Sequence, residues 1–124
     1  MKAEVNRWIK MARDDLDSAR SNYKNKKYYV CAFLSQQTVE KALKAVIIKK
    51  TNQLIKIHDL VILGRKAGLN YDLIKKSEQL SSVYIETRYG VVGSRVPSQK
   101  FNRKNSEEFL KIAEEILKWA GKSI

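Results

Sequence analysis

A chain of 124 residues and 14.3 kDa is a single domain's worth of sequence, long enough to bury a core of its own. Its 44% hydrophobic and 31% charged residues exclude a disordered chain, and no apolar run reaches membrane-spanning length. Thirteen acidic residues against 25 basic ones leave a net charge of +12, which creates a field that attracts polyanions. We therefore expect a negatively charged partner such as a nucleotide, a nucleic acid or an acidic protein.

Acidic residues near the start of the chain, among them Glu4 and Asp14, do not fit a secretory signal peptide, so we expect a cytoplasmic protein without a membrane partner. The single cysteine, Cys31, excludes an internal disulfide and is expected to fill part of a core. The spacings of metal-site ligands, the P-loop, the dinucleotide fingerprint and the serine-hydrolase elbow are all missing. We predict no metal and no cofactor.

The chain has one proline and five glycines, fewer turn-forming residues than β folds need, so the fold class is predicted to be all-α. The first helix is amphipathic, and its apolar positions recur every three or four residues: Val5, Trp8, Ile9, Ala12, Leu16, Ala19 and Tyr23. It is expected to fray through Ser21 to Lys27, where the period is lost and a turn belongs.

The second helix, from Tyr28 to about Lys50, is apolar on more than one side, which predicts burial by neighbours on several faces. A short third helix is expected between an N-cap at Asp59 and a C-terminal glycine at Gly68.

A fourth helix is predicted from Tyr71 to about Tyr89, followed by an irregular loop from Gly90 to Arg103. Asn105 and Glu108 have the spacing of a capping box for the last helix, which is expected to end at Gly121. The sequence therefore predicts a single domain over residues 1–124, an up-and-down bundle of about five helices.

A polar stripe interrupts the apolar surface of the second helix. Gln36, Glu40 and Lys44 form one row at four-residue spacing, and Gln37 with Lys41 forms the next. Because buried ionisable groups are costly unless they are paired, the stripe is expected to face a groove, a subunit interface or partners from another helix. The alternative is that Glu40 and Lys44 only solvate an exposed helix edge.

Two further positions have side chains suited to contacting an anion. His58, the only histidine, precedes the third helix, where its imidazole could meet a phosphate or a helix end, or simply bond to backbone. Arg88 and Tyr89 fall at the predicted end of the fourth helix, from which a guanidinium can reach an anion or its own last carbonyls.

At these residues the sequence resembles the HEPN family of small helical proteins. The most specific part is the Gln-Gln-x-x-Glu-Lys-Ala-Leu-Lys-Ala run from Gln36 to Ala45. The likeness spans nearly the whole chain and also includes Trp8, Ala12, Asp15, Leu16 and Ala19, the residues from Phe33 to Ser35, His58-Asp59-Leu60, Tyr84 with Arg88-Tyr89, and Ala113 to Trp119.

The resemblance implies a homodimer of bundles of about five helices that binds nucleotide or RNA, often encoded beside a minimal nucleotidyltransferase. Many HEPN proteins are metal-independent ribonucleases with an arginine, four to six residues and then a histidine. This chain has Gly93, Ser94 and Arg95 at those distances after Arg88, and Thr51, Asn52 and Gln53 at those distances before His58. The motif is missing, so no catalytic residue is predicted.

The preferred interpretation is a non-catalytic, homodimeric nucleotide- or RNA-binding module that acts with a separately encoded minimal nucleotidyltransferase. Its predicted binding residues are Gln37, Glu40, Lys41, Lys44, His58, Arg88 and Tyr89. One alternative is a ribonuclease with a rearranged site in which His58 and Arg88 meet in space. Another is a purely structural dimerisation or docking domain, with a seam supplied by the second helix or by Tyr89 and Phe101.

Overall fold

The computed structural model describes residues 2–84 and 97–124, and every regular element in those ranges is a helix. The elements are α1 (Lys2–Lys24), α2 (Tyr28–Thr51), α3 (Leu60–Ala67), α4 (Tyr71–Ser81), the single turn α5 (Pro97–Lys100) and α6 (Arg103–Ser123). The predicted all-α fold is confirmed, with five helices of eight residues or more among the described residues.

Helix α2 is the centre of the bundle, and each of the other five elements packs against it. A turn at residues 25–27, with Lys26 in the left-handed region at φ 60°, reverses the chain so that α1 runs antiparallel to α2. The Ser106 hydroxyl donates to the Tyr28 carbonyl at 3.0 Å, so α6 starts beside the start of α2 and runs parallel to it. The prediction that α2 is buried on several faces is confirmed.

The short helix α3 is closed at both ends by the residues that the sequence predicted. The Asp59 carboxylate accepts from the backbone N–H groups of Val61 and Ile62, and Gly68 adopts φ 83° at the other end. Between the left-handed C-cap Asn52 and Asp59 the chain is irregular. This segment brings His58 back alongside α2.

The start of α6 differs from the predicted one. Asn102 is the N-cap, and its side chain accepts from the Asn105 N–H at 2.9 Å while the Asn105 side chain accepts from the Asn102 N–H at 2.9 Å. This reciprocal pair closes a capping box three residues earlier than the predicted Asn105 and Glu108. The helix also runs past Gly121 to Ser123, because nothing in the packing requires a left-handed residue at Gly121.

Three other predicted boundaries differ from the observed ones. Helix α1 remains regular to Lys24, past the start of the predicted fraying, and the predicted loop contains the helical turn α5. Helix α4 ends at Ser81, with Ser82 as its C-cap, and Val83 and Tyr84 are helical again; residues 85–89 of the predicted helix lie outside the described residues.

Aromatic residues close the end of the bundle where α6 begins. Phe101 is 6% exposed and packs edge-on against Phe109, with ring centroids 6.2 Å apart. A buried Phe101 does not supply the dimer seam suggested from the sequence, and Tyr89, the other aromatic named there, lies outside the described residues. Among those residues, no helix has both the length and the hydropathy to cross a bilayer.

Candidate functional site

The carboxylate of Glu40, on the middle turns of α2, is the centre of a buried polar cluster. Glu40 is 5% exposed. One turn later along α2, Lys44 donates to its Oε2 at 3.1 Å, and one turn earlier Gln36 donates to its Oε1 at 3.2 Å. His58 places Nδ1 3.1 Å from both carboxylate oxygens. We call these four residues, Gln36, Glu40, Lys44 and His58, the Glu40 cluster.

Partners for Glu40 therefore come from its own helix and from the segment that precedes α3. The side chains of Glu40 and Lys44 are each only 7% exposed, so the pair does not solvate an open helix edge. An ammonium, an amide and an imidazole around one carboxylate compensate the cost of taking its charge out of water. The sequence predicted a groove, a subunit interface or partners from another helix for the stripe. The partner of Glu40 outside α2 instead comes from the irregular segment before α3.

The imidazole of His58 is oriented by two contacts. A carboxylate has no hydrogen to give, so Nδ1 is the donor toward Glu40 and carries the proton. The ring stacks on Tyr84 at a centroid distance of 4.6 Å and an interplanar angle of 13°. With both contacts in place the His58 side chain is still 51% exposed. The cluster thus opens to solvent through this ring.

Two neighbouring side chains, Trp8 on α1 and Gln37 on α2, extend the Glu40 cluster. The Lys44 ammonium lies 5.8 Å from the centroid of the Trp8 ring on α1, a cation–π distance. Gln37 donates through Nε2 to Oε1 of Gln36 at 2.7 Å, which fixes the amide that in turn faces Glu40. The buried charges are therefore embedded in a continuous network.

Lys41 has a different partner from Lys44. Its ammonium forms a salt bridge at 2.5 Å with Asp15 on α1, and both side chains are about one-fifth exposed, 21% and 19%. Both predicted lysines of α2 are thus paired with carboxylates. An ammonium has three N–H donors, and the contact of Lys41 with Asp15 Oδ2 uses one of them.

Of the predicted binding residues, Gln37, Glu40, Lys44 and His58 come together in one network, and Lys41 lies beside it on the α1 side. Arg88 and Tyr89 lie outside the described residues.

Sequence reasoning did not assign Trp8, Asp15 or Tyr84 to the site, although all three lie on the stretches that resemble HEPN. Trp8 and Asp15 are two turns apart on α1, so they share the face that meets α2. Their spacing was a usable signal, whereas Tyr84 reaches His58 only through the tertiary fold. Among the described residues no group of three His, Cys, Asp or Glu side chains is arranged to hold a metal ion.

The protein is an all-α bundle whose central helix, α2, carries a buried cluster of a carboxylate, an amide and a lysine. The family model of the HEPN domain matches residues 5–124. The chain therefore belongs to the HEPN domain family.

Solved structures agree with this assignment. The crystal structure of TT1696 from Thermus thermophilus is 25% identical, covers 98% of each chain and superposes with a TM-score of 0.90. ST0689, an archaeal HEPN homologue, is 28% identical over 98% of each chain with a TM-score of 0.79. An HEPN domain protein of Thermotoga maritima, tm0613, shares the fold at 21% identity and a TM-score of 0.74, over 94% of this chain and 95% of its own. No curated protein matches the chain.

Proposed function

We propose that this protein is a non-catalytic nucleotide- or RNA-binding module whose ligand lies against the Glu40 cluster. The observation that carries the proposal is a half-exposed imidazole in a chain of net charge +12, held by a buried carboxylate that is itself paired with a buried lysine. The excess of cations attracts a polyanion, and the ordered cluster offers it a fixed place to bind.

Each predicted residue has a role in this proposal. His58 contacts the ligand directly, and Lys41 supplies a donor and positive charge from the central helix. The buried Lys44 acts through Glu40, which it holds in place. Glu40 and Gln37 act as positioning residues, because they orient the imidazole and the amide network rather than face an anion. Arg88 and Tyr89, outside the described residues, remain predictions from the sequence.

The module is proposed to work as a homodimer beside a separately encoded minimal nucleotidyltransferase in the cytoplasm. Membership of the HEPN family supports this proposal. Light scattering after size-exclusion chromatography measures the first part, and co-purification with the product of a neighbouring gene measures the second. Recovery of an acidic protein without nucleic acid would favour the docking-domain alternative instead.

The binding test is a fluorescence-anisotropy titration of a short labelled oligoribonucleotide at several salt concentrations, with ATP as competitor. We expect His58→Ala, Lys41→Ala and Arg88→Ala to weaken binding, and the two cation variants to flatten the dependence of log affinity on log salt.

Lys104→Ala is the matched control. Lys104 is exposed in the first turn of α6, at the end of the bundle where α2 begins, so this variant removes the same charge far from the cluster. Equal losses in Lys41→Ala and Lys104→Ala would show that only total charge matters, and the site assignment would be wrong.

One observation favours a second candidate, a ribonuclease with a rearranged site. A carboxylate that fixes Nδ1 of a histidine leaves Nε2 able to take a proton from a 2'-hydroxyl, which is how an oriented general base works. Incubation of a labelled oligoribonucleotide in chelator separates the two candidates. Cleavage by the wild-type protein that is lost in His58→Ala supports the ribonuclease, and equal background in both supports the binding module.

A further inference from the structure

The imidazole of His58 has one covered face and one open face. Tyr84 covers the first face in a nearly parallel stack, at 4.6 Å between centroids. The Nδ1 edge is occupied by Glu40. Because half of the side chain is nevertheless exposed, the exposed area comes from the second face and the opposite edge, which carries Nε2.

This open face is held rigidly. Glu40 is buried and is itself fixed by Lys44 and Gln36, so the bidentate approach of Nδ1 to its two oxygens restrains rotation of the ring. The stack on Tyr84 restrains tilting of the same ring. A flat ligand that meets His58 finds a surface already ordered, and little conformational entropy is lost on binding.

We propose that the open face of His58 is a stacking platform for a nucleobase, which becomes the third ring in a Tyr84–His58–base column. The inference rests on the proposed function and names the base, not the phosphate, as the group that His58 recognises. The described part of the chain has many lysines and arginines that can contact phosphates. A half-exposed aromatic ring that is stacked on a second ring is suited instead to stacking against the flat face of a base. The base can belong to a free nucleotide or to single-stranded RNA.

The proposal is tested first on the wild-type protein by proton NMR. His58 is the only histidine, so its ring protons give an assignable pair of signals. A stacked base shifts these signals upfield through its ring current, and a phosphate alone has no ring current. We expect upfield shifts with AMP and with oligoadenylate, and none with inorganic tripolyphosphate or with an abasic oligonucleotide of the same length.

Variants separate stacking from hydrogen bonding at Nε2. A base–aromatic stack is worth about 5- to 150-fold in affinity when it is removed by alanine. We expect a loss in that range for His58→Ala with oligoadenylate and a smaller loss for His58→Phe, which keeps a ring for stacking but gives up the Nδ1 contact with Glu40. We expect little change for Lys56→Ala, which removes a charge two residues away but no ring. Thermal melts verify that the variants are folded.

The outcomes distinguish this inference from the proposed function. Binding of tripolyphosphate and abasic oligonucleotide as tightly as oligoadenylate would overturn the stacking platform and leave phosphate binding standing. Equal losses in His58→Phe and His58→Ala would overturn it too, in favour of a contact through Nε2. Binding of none of the probes would overturn both. Shifts with oligoadenylate alone identify single-stranded RNA as the source of the base, and equal shifts with AMP identify the free nucleotide.

Discussion

Removing one partner of the Glu40–Lys44 ion pair costs more stability than replacing both partners by apolar residues. Both side chains are 7% exposed, so removing one partner strands a charge in a medium of low polarity. Replacing both partners by apolar residues of similar size leaves no charge behind. A gain in stability therefore does not explain the pair, whose carboxylate also accepts from His58 Nδ1.

Double substitution at this pair tests the argument. We expect Lys44→Met to lower the free energy of unfolding by about 3 kcal/mol, because the buried Glu40 carboxyl group is left with only Gln36 and His58 beside it. The double variant Glu40→Leu/Lys44→Met is expected to regain most of that loss. Urea denaturation measures all three proteins.

The matched control is the exposed pair of Lys10 and Asp14, which has the same four-residue spacing with side chains 75% and 62% exposed. Lys10→Met is expected to change the free energy of unfolding by less than about 0.5 kcal/mol. A loss at Lys44 as small as the loss at Lys10 would contradict the claim that burial makes the Glu40–Lys44 pair costly to break.

Cys31 gives a pH dependence of known sign. Burial raises the pKa of its thiol from 9.0 to about 11, partly offset by the Ser35 hydroxyl. The folded state therefore holds the thiol proton more tightly than the unfolded chain does, so this contribution to stability is complete below pH 9 and is lost as the pH rises through 11.

Comparison with Cys31→Ala isolates the thiol from the lysines and tyrosines that titrate in the same range. We expect the difference in free energy of unfolding between wild type and Cys31→Ala to fall by up to about 2 kcal/mol between pH 9 and 11. A difference that stays constant over this window would show that the thiol ionises equally in both states.

At the scale of helices, the sequence predicted what local patterns determine. Asp59 is recognisable as an N-cap because its side-chain oxygen can accept from the unpaired N–H groups of the first turn. Gly68 is recognisable as a C-cap because glycine tolerates a positive φ. The start of α6 differs from the predicted one because Asn102 and Asn105 form a capping box from two asparagines, whereas the better-known pattern, with Glu at its fourth position, falls at Asn105 and Glu108.

In the candidate site too, local patterns predict some of the residues, and only the tertiary fold determines how they meet. The stripe containing Glu40 and Lys44 is visible at helical spacing, and His58 stands out because it is the only histidine. No local pattern links Glu40 to His58 or His58 to Tyr84, because the irregular segment before α3 decides where the imidazole lies. Contacts made through such a segment depend on the whole fold.

Two glycines test the argument about helix ends. Gly68 has φ 83°, and a Cβ there would lie 2.6 Å from the Lys50 ammonium, whereas a Cβ on Gly121 meets no atom within 4 Å. We expect Gly68→Ala to lower the free energy of unfolding by about 1 kcal/mol, mainly through the left-handed backbone, since the lysine end can move. Gly121→Ala is expected to raise it by about 0.5 kcal/mol. Urea denaturation measures the free energy of unfolding of both variants. Equal effects would show that the left-handed backbone at Gly68 does not require glycine more than the helical backbone at Gly121 does.

Across the entire chain, the net charge of +12 opposes the compact state. Ion pairs such as Arg20 with Glu114 and Lys76 with Glu115 link α6 to α1 and α4, but cations outnumber anions nearly two to one, 25 against 13. Repulsion among the excess cations acts over distances that salt screens. The same charge that attracts a polyanion therefore weakens the free protein.

This dual role predicts opposite effects of salt on two measurements. Between about 0.05 and 0.5 M sodium chloride we expect the urea midpoint of the free protein to rise, because screening relieves repulsion more than it weakens exposed ion pairs. Affinity for an oligoribonucleotide is expected to fall over the same range, because the release of counterions on binding gains less free energy at higher salt. A midpoint that falls with salt would show that the surface ion pairs outweigh the repulsion, and the positive field would then have no cost to the fold.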